Sequence, residues 1–347
     1  MPTYMPVLKG KPGEFAAWRH ATASVIANSR PVIEVVPMRG QERDLADILN
    51  HVRAGWPSGS VLTLDCGALD QTVPVGSSPD CAVLWSAAAL LAEGVAMRPV
   101  VRIDDAPPVW AEVGAAHAVH GHGVALRLGS EENDPDPTAA AAVLPALLTA
   151  VGVGTDQVDL IIDLWAVESP RDVTRASTVA GIVLAWAHTT GPWRTVTILS
   201  GAFPASISNL PTGAATAIPR YDAELYDQVV AAGPAMEVDF GDFVVAHPSM
   251  PGAGRGPLPN LRYTAGRDWR IFREPKALPG NQSFFTVCAK VVASPAWVGT
   301  SYSWGDAEVD RSASSIGGAG TATQWRSYGT SHHAAVVIDR LATLGAP

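Results

Sequence analysis

The sequence has few of the features that mark disulfide-stabilised, zinc-binding or membrane-spanning proteins. Its three cysteines, Cys66, Cys81 and Cys288, are odd in number and widely spaced, so they form neither a disulfide framework nor a zinc-binding pattern. The longest largely apolar stretch, Ala82–Ala92, is too short to cross a bilayer. No basic stretch followed by an apolar one marks a signal peptide at the N-terminus. We therefore expect a soluble, cytoplasmic protein that does not interact with membranes.

Positive charge is also scarce. The 24 Lys and Arg residues are outnumbered by 33 Asp and Glu residues, for a net charge of −9. This balance argues against broad nucleic-acid binding, although it allows a local basic site. The P-loop, Gly-x-Ser-x-Gly and His-Glu-x-x-His motifs are absent, which excludes kinases with the first signature, common lipases and zincins.

What the chain does contain is one repeated pattern. A short β-branched run with an ionisable residue near its end is followed by a loop and an alanine-rich helix. Eight such repeats over about 250 residues predict a TIM-type (β/α)8 barrel, whose active site lies at the C-terminal ends of its strands. The predicted strands are Tyr4–Lys9, Pro31–Pro37, Val61–Cys66, Arg98–Asp104, Gly123–Leu128, Val158–Leu164, Thr195–Ser200 and Met236–Phe240.

The strand–helix repeat stops after the eighth predicted strand. We expect 1–248 to form the barrel body, 249–330 a lid-like insertion over the barrel mouth, and 331–347 the closing helix of the barrel. The last third has too few apolar residues to form a stable hydrophobic core of its own. Its predicted elements are a Ser249–Pro259 linker, a Leu261–Arg273 hairpin, a Gln282–Ala293 helix and a Ser331–Leu344 helix; earlier, Glu14–Asn28 is predicted as one helix and Gly201–Ile218 as a long loop.

Alternation along the strands predicts which side chains point into the barrel. Large aliphatic residues should face the surrounding helices, which leaves the polar residues inside. Buried charges are costly, so they must pair, contact solvent or bind something. Eight ionisable residues are predicted at the mouth: Lys9, Glu34, Asp65, Arg102, Asp104, Arg127, Asp163 and Asp239.

Two interpretations of this mouth are open. It is either an ion network that closes the core or an active site for an anionic substrate. In the second case, carboxylates act as general bases or hold a divalent metal, Mg or Mn, and a histidine is the acid. The predicted substrate-binding residues are Lys9, Arg102, Arg127, Ser200, Arg262 and Arg326. The predicted catalytic residues are Glu34, Asp65, Asp163, Asp239, His332 and His333, and the predicted metal ligands are Glu34, Asp65 and Asp163.

The adjacent pair His332-His333 has two interpretations as well. Neighbouring residues on a helix point about 100° apart, so both cannot easily bind one metal from the middle of a helix. At a helix start, one histidine could reach the mouth; otherwise both are packed, hydrogen-bonded core residues. His247 is a second candidate for proton transfer. Trp304-Gly305-Asp306 and Trp325-Arg326 either anchor the insertion to the barrel or form a stacking wall.

The C-terminal third contains short sequence motifs that amino-acid composition does not explain. They include Phe240-Gly241-Asp242-Phe243, Arg262-Tyr263-Thr264, Ser303-Trp304-Gly305-Asp306 and Trp325-Arg326-Ser327-Tyr328-Gly329-Thr330-Ser331-His332-His333. Together with Tyr4-Met5-Pro6-Val7-Leu8-Lys9-Gly10 and Pro31-Val32-Ile33-Glu34, they resemble the bacteriophage-type beta family proteins over nearly the whole chain. The resemblance implies a shared architecture in phage and bacterial proteins and adds little about the reaction.

Two functions remain open from the sequence. The first is a barrel enzyme that acts on a phosphate-bearing substrate, by phosphodiester hydrolysis. The second is a non-catalytic effector that recognises a nucleotide or metabolite at the mouth and a protein partner through the insertion. A role in phage–host conflict is implied only by the family resemblance.

Overall fold

Eight parallel strands close into a barrel in the computed structural model, which describes residues 2–249 and 257–347. The strand order is β1-β2-β3-β4-β5-β6-β7-β9, which confirms the predicted TIM-type barrel. The barrel strands are β1 (Tyr4–Leu8), β2 (Val32–Glu34), β3 (Leu62–Asp65), β4 (Met97–Val101), β5 (Val124–Leu128), β6 (Val158–Ala166), β7 (Thr195–Gly201) and β9 (Asp239–Asp242).

Helices follow the strands as the repeated pattern predicts. The apolar residues of α3 recur at helical spacing and are buried against the barrel. Ser169 and Asp136 are the N-cap residues of α7 and α6, where their side chains accept hydrogen bonds from backbone N–H groups of the first turn. The helices are α1 (Pro12–Arg19), α2 (Ala23–Ala27), α3 (Gln41–Arg53), α4 (Ala82–Ala92), α5 (Pro107–His120), α6 (Pro137–Val151), α7 (Pro170–Thr190), α8 (Tyr221–Ala231), α9 (Ser283–Val292), α10 (Trp304–Ala313) and α11 (Ala322–Leu344).

The barrel interior is a small core of its own. The strand residues that alternate with the inward-facing ones, such as Ile33 and Leu126, belong to the larger core between strands and helices. The strand alternation used for the sequence prediction therefore separates inward from outward side chains. The inner core consists of Met5, Val7, Val32, Val100, Ala125, Ile161, Leu199 and Phe243, with Trp165 packed against it.

Two elements near the chain start and the barrel closure differ from the prediction. The single helix predicted over Glu14–Asn28 is two helices, because Thr22 caps a new one by accepting the Val25 N–H. The last barrel strand lies later than Met236–Phe240. It begins at Asp239 because Phe240 pairs with Tyr4 of β1, and this register leaves Glu237 exposed before the strand.

The predicted hairpin exists and is larger than expected. Its strands β10 (Asn260–Ala265) and β11 (Asp268–Arg273) are antiparallel. A further strand, β8 (Thr216–Pro219), pairs with β11, so the end of the predicted 201–218 loop is a strand. The predicted linker over Ser249–Pro259 falls mainly on residues 250–256, which lie outside the described residues.

The closing helix is longer than predicted. It begins at Ala322 instead of Ser331, where the N–H of Thr321 donates to Gln324 Oε1 at 3.0 Å and so caps an earlier first turn. This helix, α11, contacts α1, α2, β1 and β10, which places it between the barrel and the hairpin. Across residues 2–249 and 257–347, the longer helices are not apolar enough to cross a membrane.

Candidate active site at the barrel mouth

A cleft of about 570 Å³ opens at the C-terminal ends of the barrel strands. Because each of these strands ends at the same rim, their last side chains share one space. The charged residues that line its floor are Lys9, Glu34, Asp65, Arg102 and Arg127, which lie at or just after the ends of the first five strands. Five of the eight residues predicted at the mouth therefore meet on its floor.

Arg127 is the centre of this charged floor. Its buried guanidinium donates to Glu34 Oε1 at 2.6 Å and, from the same nitrogen, to Asp65 Oδ2 at 2.7 Å. Two other nitrogens donate to Asp163 Oδ2 at 2.8 and 2.6 Å. Burial by itself would lower the pKa of Arg127, but the three carboxylates outweigh it and raise that pKa well above its ordinary value. Arg127 is a permanent cation shared by three strands.

Arg102 forms a second, bidentate pair with Asp65. Its two terminal nitrogens lie 2.8 and 2.7 Å from the two carboxylate oxygens. Asp65 also accepts the backbone N–H of Gly67 at 2.8 Å. Burial raises the pKa of Asp65, but Arg102 and Arg127 outweigh it and hold that pKa below its ordinary range. Asp65 therefore stays ionised and positions the two arginines.

Lys9 and two aromatic rings form the side of the cleft next to Glu34. The Lys9 ammonium contacts the Glu34 carboxylate and the carbonyl of Pro248, and lies 4.8 Å from the centre of the Phe243 ring. Trp165, which also lines the cleft, has a left-handed backbone with φ 54°. Such a conformation is costly for a bulky residue and is typical of functional sites.

The rim of the cleft is acidic. Asp104, Glu131 and Glu132 are exposed there, so Asp104 lies at the edge and not among the inner charges. On the floor, Lys9, Arg102 and Arg127 are matched by Glu34 and Asp65 and by Asp163, which is buried beneath Arg127 and does not line the cleft. The inner cations are thus already neutralised by carboxylates of the same site.

The carboxylates of this floor do not fit a divalent metal. In the part of the chain that the structure describes, no group of three or more His, Cys, Asp or Glu side chains is placed to hold one. The three predicted ligands Glu34, Asp65 and Asp163 surround the guanidinium of Arg127, which occupies the space between them. The prediction of Mg or Mn bound here has no support in this geometry.

A second, smaller cavity of about 50 Å³ adjoins the cleft at Lys9. Its lining combines residues after β1 and β9 with Arg262 of β10 and Arg326 of α11. The insertion therefore brings two of its predicted arginines to the C-terminal face. Asp306 does not join them: it contacts Tyr263, Ser303 and His332 instead.

The comparison with protein families identifies the chain. A family model described as Beta protein matches residues 4–339. The chain belongs to the Beta protein family. The resemblance inferred from the sequence motifs is confirmed. No curated protein matches this chain.

Several solved barrel structures align with this Beta protein family member at low similarity. The carboxyl transferase domain of Rhizobium etli pyruvate carboxylase is 11% identical, with a TM-score of 0.41, over 96% of this chain and 48% of that one. An atrazine chlorohydrolase TrzN mutant from Arthrobacter aurescens TC1 is 11% identical, with a TM-score of 0.33, over 69% and 51%. The Paramecium bursaria Chlorella virus arginine decarboxylase is 10% identical, with a TM-score of 0.34, over 71% and 65%. The chain thus spans about half the length of the first of these structures.

The histidine prediction is wrong in its placement. His332 and His333 lie in the middle of α11, not at its start, and both are buried outside the cleft. His332 Nδ1 is 2.9 Å from Asp306 Oδ2, and its Nε2 is 2.8 Å from the Thr264 carbonyl. His333 Nε2 is 2.8 Å from Asp242 Oδ2. They are the packed, hydrogen-bonded residues of the alternative interpretation, because α11 begins at Ala322, about two and a half turns earlier than predicted.

Two other predicted residues do not line the cleft. Asp239 begins β9, so it lies at the N-terminal end of the barrel, where it contacts Arg30 and accepts the Thr3 N–H. Its predicted catalytic place at the mouth is wrong because the strand starts later than expected. Ser200 is buried in β7 and is not part of the cleft lining.

Two residues of the smaller cavity, Lys11 and Glu14, were missed in the sequence. Asp242, which accepts hydrogen bonds from Tyr4 and Val244 at the end of β9, was missed as well. The signal for Lys11 and Glu14 was present, since Lys11 lies in the short loop after β1 and Glu14 in the first turn of the helix that follows it. Loops at that end of a barrel strand carry site residues as often as the strands themselves.

Proposed function

We propose that this chain is a barrel enzyme that acts on a small phosphate-bearing substrate in the mouth cleft, by hydrolysis of a phosphodiester. One observation supports the proposal above others: charged side chains from five strands converge on an open cleft beside a left-handed Trp165. Charges of both signs on several strands are typical of barrel active sites. Fold alone supports no particular reaction, so the proposal depends on these side chains.

Glu34 is the general base in this proposal. Among the three inner carboxylates it is the most accessible, with 12% of its side chain exposed against 2% for Asp65 and 0% for Asp163. Glu34 takes a proton from water, the water oxygen attacks phosphorus, and the bond from phosphorus to the leaving oxygen breaks. That oxygen then receives a proton from solvent. Arg127 and Lys9 hold Glu34 in place through both of its oxygens.

The test is turnover of a panel of phosphodiesters by the full chain and by Glu34→Gln. Glutamine keeps the shape and one acceptor for Arg127, but it cannot take a proton at neutral pH. We expect the variant to fold and to lose about 100-fold or more of kcat. The matched control is Asp134→Asn, which removes an exposed carboxylate paired with Arg175. Equal turnover by wild type and Glu34→Gln contradicts the assignment.

The balanced inner charges also favour a second function. Since the inner cations are already paired, the cleft could recognise a nucleotide or metabolite without chemistry, as an effector protein would. A thermal shift panel of nucleotides, phosphosugars and dinucleotides separates the two. A ligand at a hundredfold excess over its Kd adds about 2.7 kcal/mol to the free energy of unfolding. A stabilising ligand that is never turned over supports the effector function.

A further inference from the structure

We propose that the small cavity beside Lys9 is a phosphate-binding subsite, in which Lys11, Arg262 and Arg326 hold the phosphate group of the substrate. The inference rests on the proposed function and changes one part of it. The phosphate does not lie on Arg102 and Arg127, where the sequence placed it. The remainder of the substrate extends past Lys9 into the cleft, since Lys9 lines both spaces. The contact between Lys9 and Glu34 puts the general base of the proposed hydrolysis at the junction of the two spaces.

The two neighbouring sites differ in charge balance. On the cleft floor, each cation contacts a carboxylate. In the small cavity, Lys9, Lys11, Arg262 and Arg326 face Glu14 as the one carboxylate of the lining. Within residues 2–249 and 257–347, Lys11, Arg262 and Arg326 have no carboxylate within 4.0 Å. The remaining residues, 1 and 250–256, include no Asp or Glu.

Arg262 and Arg326 are held close together without a counter-ion. Burial and the neighbouring Arg326 charge lower the pKa of Arg262 well below its ordinary value. Arg262 is nevertheless fixed, because it donates to the Val245 carbonyl and its guanidinium carbon lies 4.2 Å from the centre of the Phe203 ring. Like charges that are positioned in advance and incompletely solvated favour an anion, and guanidinium groups match phosphate oxygens well.

The size of the cavity limits what enters it. About 50 Å³ is several times the space that one water molecule requires, so the cavity has room for one tetrahedral phosphate group. Pro204, Ala205 and Ala246 form apolar parts of its wall. A nucleoside or sugar is too large for this space and must lie in the adjoining cleft of about 570 Å³.

Glu14 makes the subsite sensitive to pH. The charged groups that face it are Lys9, Lys11, Arg262 and Arg326, with His247 across the cavity. Burial raises the pKa of Glu14 even though Arg326 and Lys11 lower it. A protonated Glu14 can donate to a phosphate oxygen, whereas the ionised form repels it. The affinity for an anion of constant charge, such as dimethyl phosphate, should therefore rise as the pH falls through the range in which Glu14 gains its proton.

Calorimetric titration of the full chain with inorganic phosphate, methyl phosphate and dimethyl phosphate tests the subsite without requiring turnover. Arg326→Met and Lys11→Met should each weaken phosphate and methyl phosphate binding by about ten- to a hundredfold, as expected for a lost hydrogen bond to a charged group. Glu14→Gln should bind dimethyl phosphate, whose charge is constant over this pH range, more tightly at pH 7.5 and without the pH dependence of wild type, which a purely structural role would not produce. Arg175→Met is the matched surface control and should bind like wild type.

Three outcomes overturn the subsite. One is a loss of binding in Arg102→Met together with full binding in Arg326→Met, which would place the phosphate on the cleft floor. Another is binding of inorganic phosphate with exclusion of methyl and dimethyl phosphate, which would show a site for the free ion. The third is no phosphate binding by a wild-type chain that is folded by circular dichroism. Failure of the proposed hydrolysis looks different: the variants then change phosphate affinity as expected, while no diester is turned over.

Discussion

Arg127 shows how one residue can be required for the fold and for the site together. Its guanidinium is the counter-ion of three buried carboxylates from three strands. Loss of one partner from such a group leaves buried charges uncompensated, which costs more than the hydrogen bonds themselves. The sequence placed Arg127 among substrate-binding residues, but its contacts show that it also holds the barrel mouth together.

We therefore expect Arg127→Met to lower the free energy of unfolding by about 3–5 kcal/mol. The measurement is urea unfolding monitored by circular dichroism. Arg175→Met, which breaks an exposed pair with Asp134, should change stability by about 1 kcal/mol or less. An Arg127→Met protein with wild-type stability and no activity would show a functional role alone.

The adjacent histidines follow a residue-level rule that holds, although their predicted placement at the mouth was wrong. Neighbours on a helix point about 100° apart, so they should reach different partners. His332 lies against Asp306 of α10, and His333 against Asp242 of β9. The sequence could not show which partners these would be, because both carboxylates are brought to α11 by long-range packing.

At the level of elements, three barrel strands share one local bond at or near their C-terminal ends. Asp65, Asp163 and Asp242 each accept the backbone N–H of the residue two positions later, at 2.8, 2.9 and 2.8 Å. This local bond turns the chain from the strand into its loop. In two of the three turns the donor residue is left-handed: Trp165 has φ 54° and Val244 has φ 59°. These strand ends are strained, and both left-handed residues lie at the C-terminal face where the site is.

The close contact between α11 and the hairpin gives a testable difference between two helical glycines. A Cβ at Gly329 of α11 would lie 2.6 Å from the Arg262 carbonyl oxygen, whereas a Cβ at Gly181 of α7 would have no neighbour within 4 Å. Gly329→Ala should therefore destabilise the protein by about 1–3 kcal/mol, because backbone must move. Gly181→Ala should stabilise it by about 0.5–1 kcal/mol through helix propensity.

Thermal unfolding of both glycine variants measures this difference, and the sign is the informative part. If Gly329→Ala were as stable as Gly181→Ala, the hairpin would not be packed against α11 as closely as the structure has it. Because Gly329 contacts the backbone of Arg262, its variant should also weaken phosphate binding at the small cavity.

At the scale of the whole molecule, the insertion and the barrel are joined in two ways. The hairpin sheet takes β8 from the segment between β7 and α8, and α11 contacts α1, β1 and the hairpin. The insertion has a buried hydrophobic cluster of its own, which includes Leu261, Phe284 and Trp325, so it holds more of a core than the sequence predicted. We expect one cooperative unfolding transition for the full chain. Far-UV circular dichroism and tryptophan fluorescence should give coincident urea curves, since Trp18 lies in the barrel and Trp269 in the insertion; two separated transitions would show independent units.

The two ends of the barrel carry similar residues with different consequences. At the N-terminal end, Asp159 is paired with Arg98 and Arg194, and Asp239 with Arg30. Ion pairs at that end of a barrel are typical of stability, whereas those at the C-terminal end line the cleft. Asp163 and Asp159 lie on one strand, β6, four residues apart, and differ only in which end they reach.

The sequence by itself determined the barrel, because strand and helix periodicities are local and repeat eight times. It also predicted which strand residues point inward, since alternation follows from the pleat of each strand. What only the tertiary structure decided was which charges meet. Asp239 lies at the opposite end of the barrel because its strand begins later than predicted, and the guanidinium of Arg127 occupies the place assigned to a metal. The small cavity brings Lys11 together with Arg262 and Arg326, although Lys11 is more than 200 residues away from both in the sequence. Contacts of this kind depend on packing between elements that are distant in the sequence, and no local sequence pattern encodes them.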